Sequence, residues 1–290
     1  MQNQLGFIGL GVMGGPMAGH LHAKWGNVIV WNRTPGKADR HVSQGATLAP
    51  DIQSLGSACD IVFLCVRGGE DTVELASTLA GCMKPGTIVV DHSTTQPTAA
   101  IEASQILAKS GIGFVDAPIT GGSMGAQNGT LTIFLGGDSE TCDRVLVPLA
   151  AYAKRAERVG GVGAGQWAKL ANQIAVAGSL LGLCESLSFA KKAGLNVEQI
   201  HQLLSGGAAG SWSFDNYGPK LLRSDWSPGF SIDNQQKDLV YTMEAAKGVD
   251  SAVPMTELAH QLLSLLQEDG DGGKTTAALY AKMLDLKGCP

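Results

Sequence analysis

The stretch LGFIGLGVMGGPMAGHL, residues 5 to 21, constrains the fold more than any other part of this chain. A short apolar run meets Gly9, Gly11 and Gly14 in G-x-G-x-x-G spacing, and a helix-like segment follows at once. Taken alone the spacing is weak, because the chain holds 39 glycines; the strand before it and the helix after it give it weight. The first glycine permits a tight turn, the second lets backbone approach a pyrophosphate, and the third lets the helix pack closely. Backbone N–H groups and the helix dipole then face the phosphates. Gly9, Leu10, Gly11, Val12, Met13 and Gly14 are therefore expected to line a dinucleotide site, with Val66 at the end of DIVFLCV beside them.

The same alternation continues through the first half. Apolar runs (NVIVW, DIVFLCV, GTIVVD, GFVDAP, LTIFLGG) are separated by segments of helical spacing, the pattern of a largely parallel sheet covered by helices on both faces. After about residue 160 the character changes. Ala164 to Lys192 has helical spacing almost free of breakers, which predicts a helix roughly 40 Å long at about 1.5 Å per residue. NVEQIHQLLS, DLVYTMEAAKGV, MTELAHQLLSLLQED and TTAALYAKMLDL are helical by the same test, with glycine-rich breaks at 206–210 and 270–273. An α/β domain over residues 1–163 and an all-α domain over 164–290 are expected.

Composition narrows the partners. A formal charge of −5 leaves no basic footprint for nucleic acid or an anionic membrane. The six cysteines, Cys59, Cys65, Cys82, Cys142, Cys184 and Cys289, form no CxxC pair and have no histidine at zinc-like spacing. They read as reduced thiols of a soluble cytoplasmic protein without a metal site. The N-terminus does not read as a signal peptide, and the longest apolar stretch, IAVAGSLLGLC, stops at Glu185, short of the roughly 20 residues of a membrane span.

An acidic residue about 20 positions beyond the fingerprint would hold the ribose 2′-hydroxyl of NAD. Here the second strand runs into Asn32, Arg33 and Thr34 instead. A 2′-phosphate could take hydrogen bonds from Arg33, the Thr34 hydroxyl and Lys37, so NADP(H) is the expected cofactor, with NAD the alternative. Downstream, Thr120, Gly121 and Gly122 put a hydroxyl beside two unhindered N–H groups, a compact carboxylate site.

Read in order, GFIGLGVMGGPMAGHL, VWNRT, DHST, DAPITGGSMGAQNGTLT, GAGQWAKLANQ and QQKDL resemble the β-hydroxyacid dehydrogenase family, which includes 3-hydroxyisobutyrate dehydrogenases and tartronate, glyoxylate and succinic semialdehyde reductases. The resemblance covers nearly the whole chain. It implies a Rossmann-type N-terminal domain with a parallel sheet, a long interdomain helix, and an all-α C-terminal substrate and oligomerisation domain, while the long apolar helix itself suggests a homodimer or homotetramer. It places the catalytic lysine at Lys169 and its partner asparagine at Asn172, where Gln173 stands in place of the family's frequent second asparagine. It gives Thr120 the role of the substrate-anchoring serine, Thr94 a contact near the nicotinamide, and Lys237 the closing of the site. Trp212 and Phe230 are candidate pocket walls.

The implied reaction interconverts a short β-hydroxyacid and its semialdehyde. A hydride moves to or from the cofactor, and a proton leaves or joins the hydroxyl. An unperturbed lysine, with a pKa of about 10.4, is a poor base near neutrality. The apolar neighbours Trp167, Ala168, Leu170 and Ala171, and Lys237 as a second cation, are expected to lower it. In reduction the ammonium would stabilise the developing alkoxide and then protonate it. The contrasting reading is a non-catalytic dinucleotide-binding protein, whose mark would be loss of this lysine. GDGGKTT ends like a phosphate-binding loop, yet Glu268 occupies the place of its first glycine and no strand precedes it, so a helix-joining turn is expected.

Overall fold

A computed structural model of the chain describes residues 3–34, 36–227 and 229–286; Cys289 lies outside them. Nine strands form one sheet: β1 (Leu5–Ile8), β2 (Val28–Trp31), β3 (Thr47–Leu48), β4 (Ile61–Leu64), β5 (Ile88–Asp91), β6 (Gly113–Asp116), β7 (Ile119–Thr120), β8 (Leu131–Gly136) and β9 (Ala153–Gly160). Strands β1, β4 and β5 are buried at every position, which explains why they read as unbroken apolar runs. Their alternate side chains enter two separate cores. Phe7 and Phe63 pack with Met17 and Leu21 on one face, and Ile8 and Leu64 with Leu79 and Leu107 on the other.

The strand order is β3-β2-β1-β4-β5-β6-β8-β7, with β9 also paired to β8. From β3 to β6 every pairing is parallel; β8 then runs antiparallel to β6 and β7 and parallel to β9. The chain winds outward from β1 to β3 and resumes at β4 on the other side of β1. That reversal opens a crevice at the carboxyl ends of β1 and β4, the usual ligand position in such sheets. Helices α1 (Gly14–Trp25), α2 (Asp39–Ser43), α3 (Ile52–Ala58), α4 (Gly69–Ala80), α5 (Pro97–Ala108), α6 (Gly122–Asn128) and α7 (Ser139–Leu149) connect the strands.

Contacts divide the chain into two compact units, Met1–Lys169 and Leu170–Pro290, and the division falls inside α8 (Ala164–Lys192). By length and apolarity alone α8 could cross a membrane, with 29 residues and a window of mean hydropathy 1.4; half of that window is buried inside the protein, as in the core helix of a folded domain. The second unit continues with α9 (Val197–Ser205), α10 (Trp212–Leu222), α11 (Ile232–Gly248), α12 (Pro254–Glu268) and α13 (Leu279–Asp285). Its core joins Leu183 and Leu187 to Phe214, Leu221, Leu239, Leu263 and Leu279. GDGGKTT follows α12 as a turn, with Gly270 at φ +82° and Lys274 ion-paired to Asp271 at 2.7 Å. The five described cysteines are free thiols, and burial pushes Cys59 and Cys184 up to about 12 and Cys142 to about 11.

Candidate active site

Gly9 leaves β1 at φ +99°, a conformation that side chains resist, and a Cβ there would strike the carbonyl oxygen of Cys65. A Cβ on Gly14 would strike the carbonyl oxygen of Gly9, so the turn and the first helical residue are in direct backbone contact. Gly11 differs: a Cβ on it would meet nothing within 4 Å. Among the described residues, no acceptor takes the N–H groups of Gly11, Val12 and Met13 at the start of α1. Open space beside three unused donors at a helix N-terminus fits a diphosphate. Val12 is largely exposed there, whereas the side chain of Leu10 is core.

Asn32 locks this loop. Its Oδ1 accepts from Leu10 N at 2.8 Å and its Nδ2 donates to Thr34 O at 2.9 Å. Its carboxamide is thus committed to the protein's own backbone, while Arg33 is 79% exposed and reaches Asp71 at 3.5 Å. Thr34 is also exposed. Exposed ion pairs of this kind contribute little, so the guanidinium can exchange Asp71 for a phosphate at small cost.

The DHSTT loop after β5 is tied from several sides. Asp91 accepts from Ser93 N and from the Thr72 hydroxyl, each at 2.9 Å, and Ser93 Oγ accepts from Val66 N at 2.9 Å. Buried His92 places Nδ1 2.7 Å from the Ala117 carbonyl and Nε2 2.7 Å from the Tyr152 hydroxyl. A carbonyl only accepts, so Nδ1 carries the hydrogen and Nε2 accepts from Tyr152. Burial pushes His92 down to about 4, partly opposed by the Ala117 bond, and the ring is neutral.

Asp116, at the end of β6, caps the long helix from a distance in sequence. Its Oδ1 accepts from Gly163 N at 2.7 Å and its Oδ2 from Gln166 N at 2.9 Å, pairing N–H groups left unsatisfied at the start of α8. Burial raises this carboxyl to about 6, opposed by the bonds from Gly163 and Gln166. The approach demands a glycine at 165, where a Cβ would lie 2.6 Å from the carbonyl oxygens of Asp116 and Phe134. Gln166 then grips the loop that carries half-buried Thr94: its Oε1 accepts from Thr95 N at 3.0 Å and its Nε2 donates to Ser93 O at 2.9 Å. Lys169 stands three residues further along α8 and is only 8% exposed. Trp167 on the same turns is 40% exposed, so the apolar surroundings expected of Lys169 do not include a fully buried indole.

Thr120 ends β7, and Gly121 and Gly122 open α6 at φ +130° and +65°. Among the described residues no group pairs with the Thr120 hydroxyl or with the two glycine N–H groups. A carboxylate is the ligand chemistry such a cluster accepts. In the second unit, half-buried Asn172 donates from Nδ2 to Gln173 Oε1 at 3.0 Å, and Gln173 Nε2 donates to Asp238 Oδ2 at 2.7 Å. Lys237 Nζ lies 3.2 Å from Asp238 Oδ1 and 5.2 Å from the centroid of the Tyr241 ring. Trp212 is 44% exposed at the start of α10 and meets Tyr217 edge-on at 5.3 Å; Phe230 is half-buried.

Sequence reasoning left Asp116, His92, Gln166 and Asp238 without roles. The available signal was a carboxylate closing an apolar strand in GFVD, since a buried acid must be answered by donors.

Residues 4–161 match the model of the NAD binding domain of 6-phosphogluconate dehydrogenase, and residues 163–283 match the NAD-binding domain of NADP-dependent 3-hydroxyisobutyrate dehydrogenase. The Arabidopsis thaliana protein named Probable 3-hydroxyisobutyrate dehydrogenase-like 1, mitochondrial, is 39% identical over 95% of this chain and 84% of its own length. The 2-hydroxy-3-oxopropionate reductase of Escherichia coli K12 is 34% identical over 95% of each chain. A solved structure of Mycobacterium tuberculosis 3-hydroxyisobutyrate dehydrogenase with L-serine superposes with a TM-score of 0.89 at 26% identity, covering 98% of this chain and 99% of that one.

Proposed function

The chain belongs to the β-hydroxyacid dehydrogenases, NAD(P)-dependent oxidoreductases acting on CH–OH groups, and from that premise we propose that it interconverts a short β-hydroxyacid such as 3-hydroxyisobutyrate and its semialdehyde, preferring NADP(H), with Lys169 as general acid and base. Burial of Lys169 one helical turn beyond the Gln166 clamp carries this reading. It presents a proton-holding group on the helix that grips the Thr94 loop.

When bound, the nicotinamide supplies or takes the hydride. The unpaired N–H groups after Gly9 would hold the diphosphate, and Arg33 with Thr34 the 2′-phosphate, a preference supported by the absence of a carboxylate after β2. Thr120, Gly121 and Gly122 would take the substrate carboxylate. Lys169 would hold the proton that the substrate oxygen gains on reduction and loses on oxidation, and Asn172 would orient the substrate. We assign residues 1–163 to cofactor binding and 164–290 to substrate binding and self-association as a homodimer or homotetramer, in the cytoplasm.

A second reading, reduction of tartronate, glyoxylate or succinic semialdehyde, is favoured by the KLANQ sequence and by the likeness to 2-hydroxy-3-oxopropionate reductase. A panel of these acids assayed with NADPH and NADH separates the two. Lys169→Ala should lower kcat by about 10² to 10⁴ while NADPH affinity stays within about threefold. Near-wild-type turnover in this variant would exclude the role of Lys169, and absence of turnover by the wild-type protein across the panel would return the non-catalytic reading.

A further inference from the structure

The chain Asn172–Gln173–Asp238–Lys237 has a direction. Asp238 is 2% exposed and Gln173 likewise 2%, so their polar atoms must be answered within the protein. The Lys237 ammonium at 3.2 Å favours the carboxylate form of Asp238, and a carboxylate only accepts. Gln173 must therefore turn its NH₂ toward Asp238, as the 2.7 Å bond records, which leaves its carbonyl facing Asn172. Asn172 must in turn offer its NH₂ to Gln173, at 3.0 Å. One atom of the Asn172 carboxamide stays outside the relay: Oδ1, which takes no hydrogen bond among the described residues.

We propose that Gln173 is a positioning residue which, anchored by Asp238, holds the Asn172 carboxamide with Oδ1 outward as the acceptor for a hydroxyl of the bound acid. The inference rests on the functional reading above and specifies the polarity of one of its contacts. A deoxy acid of the same shape leaves Oδ1 desolvated and unanswered, the circumstance in which sites discriminate most sharply. Without the relay the carboxamide can turn over, and Nδ2 meets the ligand as readily as Oδ1.

The test is calorimetric titration of the enzyme–NADPH complex, which cannot oxidise a hydroxyacid, with 3-hydroxyisobutyrate and with isobutyrate. Wild type should bind the hydroxyacid at least tenfold more tightly. Gln173→Met, which keeps the volume and removes both polar atoms, should bring the ratio to threefold or less with NADPH affinity unchanged. Gln173→Glu, measured in mildly acidic buffer where the introduced carboxyl and Asp238 share a proton, keeps an acceptor toward Asn172 and should retain the wild-type ratio. It also serves if the methionine variant does not fold. A wild-type ratio below threefold, or one that survives Gln173→Met, overturns the relay. Turnover of aldehyde acids by wild type without such discrimination overturns the relay alone; absence of both binding and turnover overturns the functional reading and this inference together.

Discussion

Two buried groups in the first unit titrate in opposite senses, and their opposition can be unmasked. His92 falls from 6.5 to about 4 on folding because burial disfavours the imidazolium. Its contribution to stability is fully present above pH 6.5 and is lost as pH falls through about 4. Asp116 rises from 3.8 to about 6 because burial disfavours the carboxylate. Its contribution is fully present below pH 3.8 and is lost as pH rises through about 6. At about 1.4 kcal/mol per pH unit each displacement is worth on the order of 3 kcal/mol, so between about pH 4 and 6 the two nearly cancel. His92→Gln removes one side of the balance. Urea unfolding followed by tryptophan fluorescence, which samples Trp25, Trp31 and Trp167 in this unit, gives the stability difference between variant and wild type at each pH. That difference should shift by about 3 kcal/mol in favour of the variant as pH falls from 6.5 to about 4, on top of a constant cost for the altered bonds to Ala117 and Tyr152. Asp116→Asn should shift by a similar amount in the opposite direction. Difference curves flat to within about 0.5 kcal/mol would refute the assignment of both groups.

Other perturbations test the cofactor side. Gly14→Ala sets a methyl group against the Gly9 carbonyl, which has no room to retreat, and should weaken NADPH binding at least tenfold in a fluorescence titration; binding within threefold of wild type would show that the turn is more plastic than its contacts imply. Arg33→Ala should raise the KM for NADPH by roughly 10- to 100-fold, the worth of about 1.5–3 kcal/mol for a hydrogen bond to a charged group, and leave that for NADH unchanged. Equal effects on the two cofactors would remove the basis for an NADP(H) preference.

The parts of the fold that showed in the sequence are those whose burial is periodic. Strands β1, β4 and β5 are enclosed on both faces and show as apolar runs, and α8 shows from its breaker-free spacing. Strand β9 did not show, because its KRAER stretch is mostly exposed and buries no alternating face. Helix α10 was obscured by Gly218 and Pro219, yet it forms because the Ser211 hydroxyl caps it and Phe214, Tyr217 and Leu221 give it a buried stripe. Within the site, the fingerprint was legible because its geometry is local. Asp116 answers N–H groups 47 and 50 residues away, and Gln173 answers an acid 65 residues away. No local pattern encodes such pairings; they arise when the sheet and the helices bring distant segments together.

The margins of the sheet bear on how the protein behaves when crowded. An open strand edge is a row of unmatched amides that another polypeptide can extend into a fibre. Here β3 and β7 are two residues long, too short to template a partner, and β9 fields Lys154, Arg155 and Arg158 along its mostly exposed length. A copy approaching β9 edge to edge would have to displace or desolvate these charged side chains and the Arg155–Glu157 ion pair. Brevity at two margins and charge at the third leave the sheet a poor seed for aggregation, even though its interior strands are among the most apolar segments of the chain.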